Sequence, residues 1–222
     1  MFDAHRHISS DGHCDQDALY ATSTTKEWDT VPTGMAVLSL GALASGQLPP
    51  PSLLYDRLKA DPRLQIGEVG LDRRFPDLGG QRRFLEEVLA IGWELGRSVS
   101  LHCVRADGEL LALLAARKGH LPPLIWHGCT ASRESRMEAG RLGVIISYGP
   151  RLYSSKIGRE GSALLATEWV LESDWEGEEA LYAPFLEEHI RSFARLTGLS
   201  EESVVENNRA KRAILTNQPT PR

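Results

Sequence analysis

The sequence predicts an α/β fold, a (β/α)8 barrel of the TIM type that is somewhat reduced near its first helices. Three observations lead there. Short apolar runs recur eight times, at residues 2–7, 18–22, 35–42, 64–72, 98–103, 124–128, 144–149 and 169–174. Stretches with helical spacing separate many of these runs, which implies parallel strands joined by right-handed crossovers. The length of 222 residues suits one such barrel, which occupies about 200–250 residues as a single unit.

The first strand reads "FDAHRH", and alternation puts Asp3, His5 and His7 on one face. Residues 8–17 are too few for a loop plus a helix before the second strand, and here the barrel looks reduced. "TSTTKEWDTVP" offers at most a short helix before the third strand, "MAVLSLGA". A helix over 51–59 precedes the fourth, "LQIGEVGLD". Residues 81–96 place Phe84, Val88, Leu89, Ile91 and Leu95 at helical spacing, with Gly96 where a C-terminal cap belongs. After "SVSLHC", Asp107 is the expected cap of a helix over 108–118 that Gly119 ends. After "LIWHG", Thr130 or Ser132 opens a helix through Arg141. "VIISYG" and "WVLESD" complete the strands. A helix over 178–197 ends at Gly198, Ser200 caps a short helix through 205, and a separate piece covers 209–215. "GQLPPPS" reads as a loop inside the barrel, so one domain over 1–222 is expected.

Composition narrows the function. The chain is 41% hydrophobic and 25% charged, as globular proteins are, with a net charge of −5. A chain without basic excess touches nucleic acid only through local patches. The three cysteines are odd in number and lack CxxC spacing, which points away from a disulfide scaffold and toward a reducing compartment. No signal-peptide pattern opens the chain, and no apolar run approaches the roughly 20 residues of a membrane span. The expectation is a soluble, cytoplasmic protein with no membrane partner.

Polar residues end the apolar runs. His5 and His7 stand on the first, Glu68 on the fourth, His102 on the fifth, His127 on the sixth and Asp174 on the eighth. Barrel strands converge at their C-terminal ends, where active sites are built. Neutral imidazoles and carboxylates suit divalent zinc, manganese or magnesium. Six such groups exceed one tetrahedral site and suit two ions about 4 Å apart with a carboxylate between them. Glu68 is the expected bridge. His5, His7 and Asp174 would hold one ion, His102 and His127 the other. A lone strand histidine is ordinarily a hydrogen-bonded core residue. Six titratable groups on converging strand ends are not explained that way, because buried carboxylates without a cation are costly.

The segments "FDAHRHI", "IGEVGLD", "VSLHC", "LIWHGCTAS", "VIISYG" and "VLESD", in this order, resemble the signatures of the TatD-like metal-dependent hydrolases, within the wider amidohydrolase-type barrels. The helix "QRRFLEEVLAIGWELG" is similar to the family's too. The resemblance implies a metal cluster and hydrolysis of phosphodiester bonds, chiefly in DNA and often from a 3′ end, with magnesium or zinc. All six family ligand positions are filled: His5, His7, Glu68, His102, His127 and Asp174. It further implies that Asp174 hydrogen-bonds the attacking water and takes its proton, with Glu68 at the ions. Two segments depart from the pattern. The run ending the third strand, "SLGALASGQLPP", lacks the family's histidine, and "HCVRA" sets Arg105 one residue later than the usual arginine. The shortened rim near the first helix leaves room for a partner protein to complete the site.

Around this set, Asp3 and Glu172 share ligand parity one layer deeper and are expected to orient ligands. Asp72 is either a strand-end turn residue or part of the site's support. Arg73, Arg105 and Arg151 follow strand ends and are the expected phosphate contacts. Trp175 is placed to stack a base, while Trp126 has the outward parity. Alternation turns Cys103 toward the helices as a buried thiol, and Cys129 lies just past a strand. His13 and Cys14 read as surface loop, His120 and His189 as ordinary residues. Three functions compete: a metal-dependent DNase on single-stranded or frayed ends, a metal hydrolase of another phosphoester or of an ester or amide, and a non-enzymatic subunit of a nucleic-acid-processing assembly. The intact ligand set favours an enzyme.

Overall fold

The computed structural model describes residues 1–13, 17–22, 24–29 and 48–216. Seven strands lie among them: β1 (Asp3–His7), β2 (Ala18–Ala21), β3 (Ile66–Asp72), β4 (Val99–Val104), β5 (Leu124–Trp126), β6 (Val144–Tyr148) and β7 (Trp169–Leu171). The expected third strand, 35–42, lies outside the described residues. β1 and β2 pair in parallel, and β3 to β7 form a five-stranded parallel sheet in sequence order. Helix α1 (Pro51–Ala60) precedes β3, and α2 (Leu78–Leu95), α3 (Asp107–Ala116) and α4 (Arg133–Arg141) cross between successive strands. Three 3-10 turns, Pro150–Ser154, Lys156–Arg159 and Gly161–Ala166, replace a helix between β6 and β7. Helices α5 (Glu179–Thr197) and α6 (Glu201–Thr216) end the described chain.

The two sheets join where β1 meets the chain just past β7. Asp174 N donates to His5 O at 3.0 Å, and His7 N donates to Trp175 O at 2.9 Å. The strands thus follow one another around an α/β barrel of the (β/α)8 type. Period-2 alternation builds its interior in layers. Ile125, Ile145 and Val170 stand two residues below His127, Ser147 and Glu172 and cluster with Phe2, Ala4, Leu19 and Leu215. An apolar floor therefore underlies a polar layer at the C-terminal ends. The larger core lies between the strands' outer faces and the helices, where α2 buries Phe84, Leu85, Val88 and Leu89. β3 and β4 run so close that a Cβ on Gly70 would lie 1.8 Å from the His102 carbonyl oxygen, so only glycine fits there.

Caps and boundaries follow local chemistry with two exceptions. Gly96 and Gly198 end α2 and α5 in the left-handed conformation, at φ 63° and 81°. Ser132, rather than Thr130, caps α4 by accepting from Ser135 N at 3.2 Å. Asp107 is not a cap: α3 begins at Asp107 itself, after Ala106, with no side-chain cap. The two expected C-terminal pieces are one continuous helix, α6. Asn207 and Asn208, which fall between the two expected pieces, are weak helix formers. In the fold their side chains bond other elements instead. Asn207 Nδ2 donates to Trp169 O at 2.8 Å. Asn208 Nδ2 donates to Phe2 O at 2.9 Å and Leu171 O at 2.8 Å, while its Oδ1 accepts from Leu171 N at 2.9 Å. No helix among the described residues is long and apolar enough to cross a membrane.

Asn208 thus ties α6 across the junction of β1 and β7. Asn208→Ala strands buried backbone groups, each worth about 1–3 kcal/mol, and should cost at least about 2 kcal/mol in urea unfolding with an unchanged m value. A loss below about 0.5 kcal/mol would show that the junction does not depend on this side chain.

Candidate metal centre

The six side chains expected from strand ends converge at the C-terminal mouth of the barrel. His5 and Glu68 are buried, His102 and His127 nearly so, and His7 and Asp174 sit at the rim with side chains 17% and 29% exposed. Glu68 lies in the middle. Its Oε1 is 2.5 Å from His102 Nδ1 and 2.9 Å from His127 Nε2, and its Oε2 is 3.5 Å from His5 Nε2. Asp174 Oδ1 is 3.5 Å from His7 Nε2 and 3.9 Å from His5 Nε2. Two groups of ligand atoms lie within 4.8 Å of one another: His5, His7 and Asp174, and His5, Glu68 and His127. His5 belongs to both. Asp174 reaches inward because the chain past β7 turns there through φ 50°, a conformation uncommon for an aspartate.

The donor set suits a cation on one further observation. His5 Nε2 and Glu68 Oε1 are buried without a satisfactory hydrogen bond, although imidazole nitrogens crowd them. A buried ring nitrogen without a hydrogen bond and a buried carboxylate are both costly, and a divalent ion would relieve them. The protonation balance agrees. Burial opposes the Glu68 charge, yet His127, His102 and His5 hold its carboxyl well below the usual range. Burial likewise opposes charge on His127, but Glu68 and Glu172 raise it well above an ordinary imidazole. Burial opposes the Asp174 charge too, and His7 beside it lowers that carboxyl.

A supporting layer fixes the rings. Glu172 Oε1 lies 3.2 Å from His127 Nδ1 and accepts from Gly128 N at 2.7 Å, and Ser147 Oγ donates to its other oxygen. Asp72 is buried support, not an open turn: its Oδ2 lies 3.1 Å from His102 Nε2 and 2.6 Å from Arg74. Asp3 holds backbone, not a ring. It accepts from His5 N at 3.2 Å, Ser173 N at 2.9 Å and Tyr182 Oη at 3.0 Å. Burial pushes its carboxyl up to about 6.

Three contributors lay outside the sequence reading. Ser100 Oγ is 2.9 Å from His5 Nδ1, and its parity with His102 two residues on was the available signal. Glu176 Oε1 lies 3.5 Å from His7 Nε2. Arg6, fully buried between His5 and His7 in sequence, donates to Ser9 Oγ and Glu179 Oε2 at 2.6 Å and lies 3.6 Å from the Tyr182 ring centre. Only the docking of α5 creates that site, so no local pattern announced it.

The expected phosphate contacts divide. Arg73 pairs with Glu109, so its guanidinium is already engaged. Arg105, at φ 55°, and Arg151 both line a cavity of about 330 Å³ beside Gly128. Trp175 packs its ring 4.7 Å from Phe185. Trp126 is buried as its parity requires. Burial raises the Cys103 thiol and pushes Cys129 up to about 12, so both are inert. His13 lies 3.8 Å from Glu179, away from the cluster, and Cys14 lies outside the described residues. His189 is hydrogen-bonded to Tyr153 and Tyr148, and His120 packs edge-on against Trp93.

Known proteins share this architecture. The chain superimposes on a TatD homolog from Escherichia coli K12 with a TM-score of 0.73 and 18% identity, covering 91% of this chain and 86% of that one. A TatD-family hydrolase from Entamoeba histolytica gives 0.72 at 10% identity over 96% and 97%. These likenesses concern the fold. In sequence, the chain is 30% identical over 164 residues to a 3′-5′ ssDNA/RNA exonuclease TatD of Citrobacter rodentium, covering 72% of this chain and 56% of that protein. It is 30% identical over 123 residues to the protein so named from Edwardsiella piscicida, covering 53% and 47%. The chain spans about half the length of the curated relatives it matches. The family model of TatD-related DNases matches residues 53–212, and the chain belongs to that family.

Proposed function

We propose that the protein is a divalent-metal-dependent hydrolase of phosphodiester bonds, acting from the 3′ end on single-stranded or frayed nucleic acid. The observation that carries this reading is the buried Glu68 carboxylate, within 3.5 Å of His5, His102 and His127 at the centre of six ligand-type side chains, with His5 Nε2 left without a hydrogen bond. His5, His7 and Asp174 would hold one magnesium, zinc or manganese ion, and His102 and His127 the other, with Glu68 between. Ions there would lower the pKa of a bound water and polarise the scissile phosphate. Asp174, at the rim, would accept the water's proton, and the imidazoles paired to it keep its carboxyl ionised for that purpose. Glu172 and Asp72 would keep the His127 and His102 rings in place. Arg105 and Arg151 would hold the backbone of the substrate. The curated relatives, named as 3′-5′ ssDNA/RNA exonucleases, support the choice of substrate.

Oligonucleotides labelled at the 3′ or 5′ end, incubated with each metal, test the reading. Expected is stepwise loss from the 3′ end that chelation abolishes. Turnover of a small phosphoester, carboxylic ester or amide with no cleavage of any strand would overturn it. Asp174→Asn should fold normally and lose at least about 10²-fold in rate, the scale of a positioned acid–base group. Unchanged turnover would remove Asp174 from the chemistry.

Metal affinity should depend on pH with a defined sign. The raised His127 is protonated in the metal-free protein near neutrality, and an entering ion must displace that proton. Zinc affinity should therefore rise with pH through the ordinary imidazole range and on toward the raised His127 value, with proton release in titration calorimetry across buffers. A pH-independent affinity would show that His127 is not a ligand. Glu172→Gln should weaken zinc binding by about 10–100-fold while the melting temperature moves little. Unchanged affinity would remove Glu172 from the support of the ring.

A further inference from the structure

The cavity lined by Gly128 combines charges that neither the metal centre nor the fold uses. Four arginines follow strand ends at this rim, and two are neutralised, Arg73 by Glu109 and Arg74 by Asp72. Arg105 and Arg151 come from different loops, one after β4 and one after β6, and line the same space. Among the described residues neither guanidinium has an ion pair. At about 330 Å³ the cavity lies at the lower end of the roughly 300–1,000 Å³ of small-ligand pockets, room for one nucleotide rather than a strand. Gly128, which lines it, follows His127 in the chain, while Cys103 and Trp126, which alternate away from His102 and His127, line it from the helix side.

The rest of the lining selects among anions. Asp107 contributes a carboxylate, Thr130 a hydroxyl and Trp126 an aromatic surface. Two guanidiniums and one carboxylate leave a net charge of about +1, enough to attract a phosphate. The carboxylate opposes a bare phosphate dianion and complements N–H donors. A nucleotide offers both: a phosphate for the arginines and, on cytosine, adenine or guanine, an exocyclic amino group. Thymine offers a carbonyl and a methyl group on that edge instead.

We infer that this cavity is a nucleotide subsite at the barrel rim, with the phosphate between Arg105 and Arg151 and the base amino group on Asp107. The inference rests on the nuclease reading, yet it is tested without catalysis. Metal-free full-length protein, kept in chelator, is titrated by calorimetry with dCMP, dTMP, deoxycytidine and inorganic phosphate. Expected is saturable dCMP binding at least about tenfold tighter than to phosphate or deoxycytidine, the scale of one charge-assisted hydrogen bond. dTMP should bind more weakly than dCMP, and Asp107→Ala should abolish that difference. Arg105→Gly removes the guanidinium while suiting the positive φ, so it should fold normally. Together with Arg151→Gln it should weaken dCMP at least about tenfold. Binding unaltered in that double variant, equal binding of dCMP and phosphate, or no saturable binding would overturn the subsite. Cleavage assays report separately: a protein that binds dCMP as expected but cuts no strand keeps the subsite and loses the nuclease.

Discussion

A carboxylate buried to 1% exposure stays ionised only when hydrogen-bond donors or positive charge surround it. Glu68 meets this condition through His5, His102 and His127, contributed by three different strands. The rest of the barrel mouth can be understood as what that one group requires. β3 and β4 must lie close enough to bring Glu68 and His102 together, and Gly70 permits it. The junction of β1 with the chain past β7 must hold His5 opposite, and two backbone hydrogen bonds secure it there. The cost of gathering so many titratable groups is one a cation would relieve, and His5 Nε2 is left without a hydrogen bond among them.

Three of the four rings in the cluster are gripped from behind by a polar group that is itself buried. Ser100 holds His5, Asp72 holds His102 and Glu172 holds His127. These partners lie one step removed from the mouth, where rotation of a ring by a few degrees would misdirect its free nitrogen. Arg6 performs a comparable service for the strand. It alternates to the opposite face from His5 and His7, and Glu179, Ser9 and two tyrosine rings fix it beneath α5. A buried guanidinium is weak evidence for stability in itself. Its place between two ligand-type histidines makes it a register pin for β1.

The rim contrasts with this rigid interior. Asp174 and Arg105 both adopt positive φ just past strand ends, and such conformations persist only where surrounding structure imposes them. Asp174 is thereby turned into the cluster and Arg105 toward the cavity next to it. The short 3-10 turns between β6 and β7 bring Arg151 to the same cavity.

The strand and helix order, the parallel sheet and the convergence of six ligand-type side chains were legible in the sequence. Each rests on local periodicity: alternation in "FDAHRH", "VSLHC" and "VLESD" fixes faces, and glycines at 96 and 198 fix helix ends. Parity even marked Glu172 as support. What periodicity cannot encode is a contact between distant segments, and there the tertiary structure decided. The expected gap between 205 and 209 contains Asn207 and Asn208, poor helix formers, yet bonds to Trp169, Phe2 and Leu171 carry the helix through them. Arg73 and Arg105 look alike as strand-end arginines, and only the approach of Glu109 disarms the first. Arg6 has no signature at all until α5 folds over it. The chain's own sequence determined which residues face the barrel mouth. Packing between remote elements decided which of them are paired, which are left unsatisfied, and so which are available for chemistry.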